Sequence, residues 1–204
     1  METVLFKEVI QHDELEACLQ FRIKWYMQSR VNKFLSKPDG VLWLDEYDPH
    51  SRHYIMYLPE HKGPLGYMRV IQKEKSHSAE AILYIANQNK IKLCSPKNTI
   101  SIMDYFPGAK ECIMNYIGNS IDNINICEPG RFVVDRSNTS ASNTFRFVGW
   151  VLTQNINQAS HAILSCVKSH IAFYQKCGFV ELPGTTTCKL NEEMPEVSVM
   201  IKNL

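Results

Sequence analysis

An acid and an arginine, separated only by Pro129-Gly130, precede an apolar run and are the first candidates for chemistry. Glu128 and Arg131 stand directly before Phe132-Val133-Val134, a run typical of a buried strand. Proline is excluded from a regular central strand, so we expect a bulge or bend here, and bulges often lie beside active sites because they redirect side chains. A carboxylate placed there could accept a proton. The alternative is an ordinary turn with an ion pair.

Three further acids fall within the four residues Asp45-Glu46-Tyr47-Asp48. Carboxylates this close repel one another unless cations or water separate them, so the segment is either a charged site or a solvated loop. Arg22 lies on the apolar side of a predicted helix, where it either needs a carboxylate partner or keeps its head in water at the edge of the stripe. Arg69 ends a predicted strand and alone would be a surface arginine.

The elements that must position these residues follow a mixed α/β order. Hydrophobic periodicity and turn residues predict strands at 3–9, 55–58, 66–71, 131–135, 161–167 and 196–201. Helices are predicted at 12–30, at 108–121, after the capping residues 140–143, and from Ser169 to Gly178. Residues 73–107 are expected to form an irregular insertion with one short helix or strand. The chain is predicted to be a single domain, 1–204.

Composition excludes several classes of function. The net charge is +1, and the 10% of aromatic residues follow no basic stripe, so nucleic acid is not an expected partner. Seven cysteines with no CxxC pair favour a reduced, cytoplasmic protein, and no apolar stretch is long enough to span a membrane. His50 and His53 have loose metal-ligand spacing, but we interpret them as loop residues and expect no metal.

The ordered set of charged residues resembles a known family. Acyl-homoserine lactone synthases and the related N-acyl amino acid synthases have a similar pattern, carried here by Arg22, Asp45-x-x-Asp48, Gly66-x-x-Arg69, Phe106 and Glu128-x-x-Arg131-Phe132. The closing Phe173-Tyr174-x-Lys176-x-Gly178-Phe179 is similar to the last helix of the wider GNAT acetyltransferase superfamily. The resemblance covers about residues 20–180.

The resemblance implies a mixed, twisted sheet with helices on both faces and a splayed central strand pair that receives a pantetheine arm. It also implies a mobile lid at residues 20–40 and a pocket for the acyl chain and the acceptor lined in part by residues 73–107. Such enzymes pass a fatty acyl group from acyl carrier protein to the amine of an amino-acid-type acceptor, and they need no tightly bound cofactor.

Site residues carry over by position. The resemblance implies a charged network of Arg22, Asp45, Asp48, Arg69, Glu128 and Arg131 near the acceptor. Glu128 is our expected base for the acceptor amine, and Tyr174 the expected proton donor to the leaving thiolate. Backbone N–H groups of 131–135 would stabilise the oxyanion. The acyl and pantetheine pocket would include Phe106, Phe132, Val133 and Val134.

Two departures from the family pattern bear on the substrates. Residues 135–143 contain no glycine where enzymes that use coenzyme A cradle a pyrophosphate, which favours acyl carrier protein over acyl-coenzyme A as donor. Basic residues could meet that acidic carrier, unless they form a solvated face: Arg136, Arg146, Lys24 and Arg30, with Lys33 and Lys37. Pro129 and Gly130 replace an apolar residue and serine of the lactone synthases, so an N-acyl amino acid synthase is at least as well supported as a quorum-sensing signal synthase.

Two other functions remain open from the sequence. One is a coenzyme A-dependent acetyl- or acyltransferase, against which the glycine-free stretch counts. The other is a non-catalytic acyl-binding sensor domain, which would not need the retained acids and arginines.

Overall fold

The computed structural model describes residues 3–28, 44–106, 108–118, 125–185 and 196–204. Seven strands form its sheet: β1 (Leu5–Val9), β2 (Ser51–Tyr57), β3 (Gly66–Ile71), β4 (Ile126–Val134), β5 (His161–Val167), β6 (Val180–Glu181) and β7 (Val197–Asn203). The helices are α1 (His12–Gln28), α2 (Ala79–Gln88), α3 (Ile102–Tyr105), α4 (Ala109–Ile117), α5 (Ala141–Thr153) and α6 (Ile171–Lys176). None of these helices is long and apolar enough to cross a membrane.

The strands lie in the order β1-β2-β3-β4-β5-β7-β6, and every pair is antiparallel except β4 and β5. These two parallel strands pair only at Ile126 with His161 and at Cys127 with Ala162. Both strands continue beyond those pairs, so they separate and leave a gap in the middle of the sheet. The predicted mixed sheet with a splayed central pair is confirmed.

Helices cover both faces of the sheet, as predicted. Alternate side chains of a strand point to opposite faces, and the apolar ones divide accordingly. On one face, α5 buries Phe147, Val148 and Val151 against side chains of β2, β3 and β5. On the other face, α1 and α2 pack over β2 and β3, while α3 and α4 pack over β5 and β7. The second face therefore has two apolar clusters, and β3 and β4 pass between them.

The segment 73–107 is more regular than expected. It contains the ten-residue α2, whose Ile82, Ile85 and Ala86 recur at helical spacing and pack in the same apolar cluster as Leu15 and Leu19 of α1. It also contains the single turn α3. Of the expected lid, residues 20–28 belong to α1, and residues 29–40 lie outside the described ranges.

Candidate functional site

Five side chains from α1, β3, β4 and the loop before β2 form an unbroken ion-pair network on the face covered by α1. Its order is Arg22, Asp48, Arg69, Asp45 and Arg131. Arg22 donates to both carboxylate oxygens of Asp48, from Nη1 at 2.9 Å and from Nη2 at 3.3 Å. Arg69 Nη1 bridges Asp48 Oδ1 at 3.0 Å and Asp45 Oδ1 at 2.6 Å. At the outer end of the network, Arg131 Nη2 donates to Asp45 Oδ2 at 2.9 Å.

The network runs from the protein interior toward solvent. Asp48 is completely buried, whereas the side chain of Arg131 is 25% exposed. Burial alone would raise the pKa of Asp48, but the charges of Arg22 and Arg69 outweigh it and hold that pKa well below its usual range. The pKa of Asp45 is lowered in the same way, because the charge of Arg69 outweighs the opposite effect of burial. Both acids are therefore fixed as anions, so neither is suited to accept a proton near neutral pH.

The acidic segment relieves its own repulsion by hydrogen bonding to itself. The amide of Asp45 donates to Asp48 Oδ2 at 2.8 Å, and the amide of Tyr47 donates to Asp45 Oδ1 at 3.0 Å. A 3-10 turn at Asp48–His50 then leads directly into β2. Of the two alternatives from the sequence, the segment is the charged site and not a solvated loop, since Asp48 is completely buried.

A buried histidine supports the inner end of the network. Tyr67 accepts from Arg22 Nη1 at 3.3 Å, so its hydroxyl hydrogen can be donated to His53 Nδ1, 2.8 Å away. The Nε2 hydrogen of His53 then faces the carbonyl of Asp48 at 3.3 Å. His53 lies within β2 and is fully buried, so its interpretation as a loop residue was wrong. Burial lowers the pKa of His53 to about 4, even though Asp48 acts in the opposite direction.

This depressed pKa predicts a specific loss of stability in acid. An unfolded histidine titrates near pH 6.5, so the stability that the neutral His53 contributes is complete above that value and declines as the pH falls toward about 4. Between these two pH values, the free energy of unfolding of the wild type should fall by about 3 kcal/mol more than that of a His53→Gln variant. Urea denaturation would measure both. His61→Gln, in an exposed loop, is the matched control and should follow the wild-type curve. Parallel curves for the wild type and His53→Gln would contradict the prediction.

Glu128 lies where the central strands part. It is the first residue of β4 after the last pair with β5, and it is 4% exposed. Its carboxylate accepts from Ser101 Oγ at 2.6 Å, from the amide of Ile102 at 3.1 Å and from the hydroxyl of Tyr105 at 3.4 Å. Burial raises its pKa above the usual range for glutamate, against the lowering effect of Ser101, the amide of Ile102 and Arg69. Glu128 is therefore held by hydroxyl and amide donors at the edge of the ion-pair network.

The expected distortion of β4 is a bulge at residues 131 and 132. The register between β3 and β4 shifts by one residue, so that two residues of β4 face Met68. Arg131 adopts a left-handed conformation with φ of 52°, which redirects the strand and is uncommon for a residue with a side chain. Beyond Cys127, the N–H groups of β4 on the side away from β3 face the gap, as an oxyanion site would require. Pro129 is tolerated here because one side of the strand is unpaired.

Tyr174 and the expected pocket residues lie around the gap but on both faces. Tyr174, on α6, packs edge-on against Phe179 on the face covered by α5, and burial raises its pKa, which keeps the phenol protonated. Phe132 and Val134 contact that same apolar cluster. Phe106 and Val133 pack in the two clusters of the opposite face. The roles given to these residues stay predictions.

The expected carrier-protein residues also lie apart. Arg136 follows β4 and Arg146 lies on α5, where it contacts Asn143 and the ring of Phe6. Lys24 is exposed on α1, on the other face of the sheet. Arg30, Lys33 and Lys37 lie outside the described residues.

Between β4 and α5, the glycine-free stretch uses its own side chains to satisfy its donors. Asp135 accepts from the amide of Ser137 and from Nδ2 of Asn138, both at 2.9 Å. Ser140, the N-cap of α5, accepts from the amide of Asn143 at 3.2 Å. Two backbone amides of this stretch, those of Ser137 and Asn143, are thus already occupied by a carboxylate and a hydroxyl oxygen.

A cavity of about 720 Å³ lies beside residues 46–50. The segments 73–75 and 93–99 contribute to its walls, and its lining includes Lys73, Lys75, Lys97 and Lys110. The insertion therefore does line a pocket, and whether that pocket takes the acyl chain or the acceptor stays a prediction.

Sequence reasoning missed four residues of the site: Ser101, Tyr105, His53 and Tyr67. A signal existed for the first two, because Ser101 and Tyr105 are four residues apart and would share one side of a helical turn. His53 and Tyr67 had no comparable signal, since their contact depends on the register of β2 with β3.

Comparison with known proteins supports the fold. No protein-family model matches the chain, and no curated protein matches its sequence. Among solved structures, FeeM, an N-acyl amino acid synthase from uncultured soil microbes, superposes with a TM-score of 0.60 at 12% identity over 100% of this chain and 92% of FeeM. The acyl-homoserine lactone synthase LasI gives 0.63 at 11% identity, over 100% of this chain and 91% of LasI.

A polyamine N-acetyltransferase from Drosophila melanogaster gives a TM-score of 0.62 at 11% identity, over 99% of this chain and 100% of that enzyme. These neighbours differ in what their names say they acylate, and their identities are low. What they share with this chain is the architecture. The chain has the GNAT acetyltransferase fold, in the form also found in N-acyl amino acid synthases and acyl-homoserine lactone synthases.

Proposed function

We propose that the protein is an N-acyltransferase that moves a fatty acyl group from the thioester of acyl carrier protein to the α-amine of an amino-acid-type acceptor. The observation that carries the proposal is the position of Glu128, a buried carboxylate with a raised pKa at the point where β4 and β5 separate. In a fold that opens its central strands for a pantetheine thioester, this is where a base for the attacking amine is required.

The ion-pair network supplies the acceptor side of the proposal. Arg131 and Asp45 are its most exposed members, with side chains 25% and 18% exposed. The guanidinium of Arg131 could hold the carboxylate of an amino acid, and Asp45 could hold its ammonium group. The buried inner members, Arg22, Asp48 and Arg69, keep these two side chains in place. A sensor domain that only bound an acyl chain would have no use for this arrangement.

We infer an acyl carrier protein donor from the stretch between β4 and α5. The donors of Ser137, Asn138 and Asn143 are occupied by internal acceptors, and a carrier protein brings no pyrophosphate that would compete for them. The fold itself admits the other donor, since BjaI, another structural neighbour, is described as a coenzyme A-dependent acyl-homoserine lactone synthase. Transfer from acyl-coenzyme A is therefore the second candidate. The free thiols of the six described cysteines fit a reducing compartment, so we place the reaction in the cytoplasm.

The donor can be tested through Arg136 and Arg146. Both are exposed, and neither makes an ion pair with an acid of the described ranges. If they meet the acidic carrier, the double variant Arg136→Glu/Arg146→Glu should raise KM for acyl-carrier protein by about tenfold or more, because it replaces attraction with repulsion. KM for a short acyl-pantetheine thioester should stay unchanged. Lys62→Glu, in the loop between β2 and β3, is the control, and equal effects of both variants would contradict the assignment.

The function as a whole is tested by the product. Organic extracts of a bacterial culture that expresses the protein should contain N-acyl amino acids or acyl lactones, detected by mass spectrometry, at far higher levels than those of a culture expressing Glu128→Gln. The purified enzyme should release free thiol from acyl-carrier protein only when an amine acceptor is present. Absence of any acylated amine in both assays would refute the proposal. The identity of the amine that accumulates decides between an amino acid synthase and a quorum-sensing signal synthase.

A further inference from the structure

The residues around Glu128 give this base no direct contact with its substrate. Ser101 Oγ and the amide of Ile102 occupy one carboxylate oxygen each, at 2.6 and 3.1 Å, and the residue is 4% exposed. A general base must come within hydrogen-bond distance of the proton that it takes, or reach it through one further group. The proton must therefore arrive through one of the donors that surround Glu128.

Of the residues that supply these donors, Tyr105 is the exposed one, and its hydroxyl is buried beside Glu128 while its ring extends to solvent. Ser101 is 7% exposed and Ile102 is fully buried, whereas Tyr105 is 42% exposed while its hydroxyl lies 3.4 Å from Glu128 Oε1. The same hydroxyl lies 3.2 Å from Ser101 Oγ. Ser165, on β5 at the opposite wall of the gap, lowers the pKa of this hydroxyl and therefore lies near it. The hydroxyl of Tyr105 thus lies between the buried carboxylate and the opening between the strands.

We infer that Tyr105 is a catalytic residue whose hydroxyl relays the acceptor's proton to Glu128, an inference that rests on the proposed function. The ammonium group of the acceptor gives a proton to the phenolic oxygen as the phenolic hydrogen moves to Oε1. The freed amine lone pair forms the C–N bond at the thioester carbonyl. On collapse of the tetrahedral intermediate, the C–S bond breaks with its electron pair on sulfur, Tyr174 gives its proton to the thiolate, and the nitrogen's second proton restores the Tyr174 hydroxyl.

A tyrosine suits this relay because it does not ionise in the resting enzyme. Burial of the hydroxyl and the nearby charge of Glu128 raise the pKa of Tyr105, against the opposite effect of Ser101 and Ser165. The phenol therefore keeps its hydrogen at neutral pH, and it can pass a proton on only when Glu128 accepts one. This role differs from that proposed for Tyr174, which lies on the other face of the sheet and acts on the leaving thiol.

The test is a kinetic comparison with acyl-carrier protein and the acceptor found in the culture extract. Tyr105→Phe keeps the ring and removes the hydroxyl, and it should lower kcat about 100-fold, as Glu128→Gln does, because either change breaks the relay. The double variant should fall no further than Glu128→Gln alone, since residues that act as one unit are not additive. Tyr116→Phe, an exposed tyrosine on α4, should retain wild-type kcat.

A measurement on the wild type keeps the inference testable if Tyr105→Phe does not fold. In mixtures of light and heavy water, kcat should follow a curve that reflects two protons in motion, and a straight line would overturn the relay. The relay also fails, with the proposed function intact, if Tyr105→Phe keeps wild-type kcat and pH profile while Glu128→Gln shows the expected loss of kcat. Additive losses in the double variant would likewise overturn it. If the wild type acylates no amine, the proposed function itself has failed.

Discussion

Replacing Asp48 with asparagine is expected to lower the free energy of unfolding by about 3–5 kcal/mol, because it removes a buried negative charge from between two buried arginines. Arg22 donates to both oxygens of Asp48, and Arg69 donates to one of them, with all three side chains at most 2% exposed. An asparagine would bring an N–H group against these donors and leave their charge uncompensated. Urea denaturation at pH 7 would measure the loss.

Two other variants give this prediction its controls. Asp45→Asn should cost less, because Asp45 is 18% exposed and Arg69 would keep its bond to Asp48. Glu60→Gln, in an exposed loop, should leave stability unchanged. The pKa of Asp48 is held below its usual range, so its contribution is complete above about pH 4 and is lost as the pH falls toward the folded pKa. A loss below about 1 kcal/mol at pH 7 would contradict the prediction.

The network shows what a sequence can and cannot specify. The sequence left open whether Arg22, on the apolar side of its helix, is buried or lies at the edge of that side. A carboxylate partner would decide for burial, and that carboxylate is present in the sequence. That Asp48 is this partner depends on the packing of α1 over β3, a contact between residues 26 positions apart. The resemblance named the five side chains that form these ion pairs, because the family pattern records a tertiary contact that periodicity does not. It also named Glu128, whose carboxylate instead accepts from Ser101, Ile102 and Tyr105.

The central strand gives a second example. Pro129 predicted an irregularity in β4, and one is present, but it lies at residues 131 and 132 and not at the proline. The reason is that a bulge is defined by the partner strand, and only the register with β3 places two residues opposite Met68. The predicted strand at 131–135 was also too short, since β4 begins at Ile126 and pairs with β5 at Ile126 and Cys127 before the two strands separate.

The segment 101–105, which donates hydrogen bonds to Glu128, was the least predictable part of the site. Ser101 and Tyr105 stand in a stretch without sustained periodicity, so the sequence indicated only an irregular insertion. The turn α3 is a single turn of four residues, which is too short to be stable alone and depends on Ile102 packing against the sheet. Contacts made by such an element are fixed by tertiary packing, and the sequence around it carries little record of them.

Replacing Glu128 with glutamine is expected to lower kcat/KM by about 100- to 10,000-fold while the fold is retained. Burial raises the pKa of this carboxyl, so the site already favours a neutral group, and a glutamine carbonyl can still accept from Ser101 or Ile102. What the amide cannot do is take a proton from the acceptor amine. Steady-state release of thiol from acyl-carrier protein would measure the loss, and urea denaturation would confirm that the variant is folded.

The pH dependence separates a base from a structural carboxylate. A base works only when it is deprotonated, so wild-type kcat/KM should fall as the pH drops through the raised pKa of Glu128, at a higher pH than an ordinary glutamate would give. The residual activity of Glu128→Gln should not show this fall at acid pH. Glu128→Asp keeps an acid but moves it away from Ser101, and it should keep the fall in activity at acid pH with a reduced kcat. A Glu128→Gln enzyme with wild-type kcat/KM across the pH range would remove Glu128 from the mechanism, and the amine would then need another base.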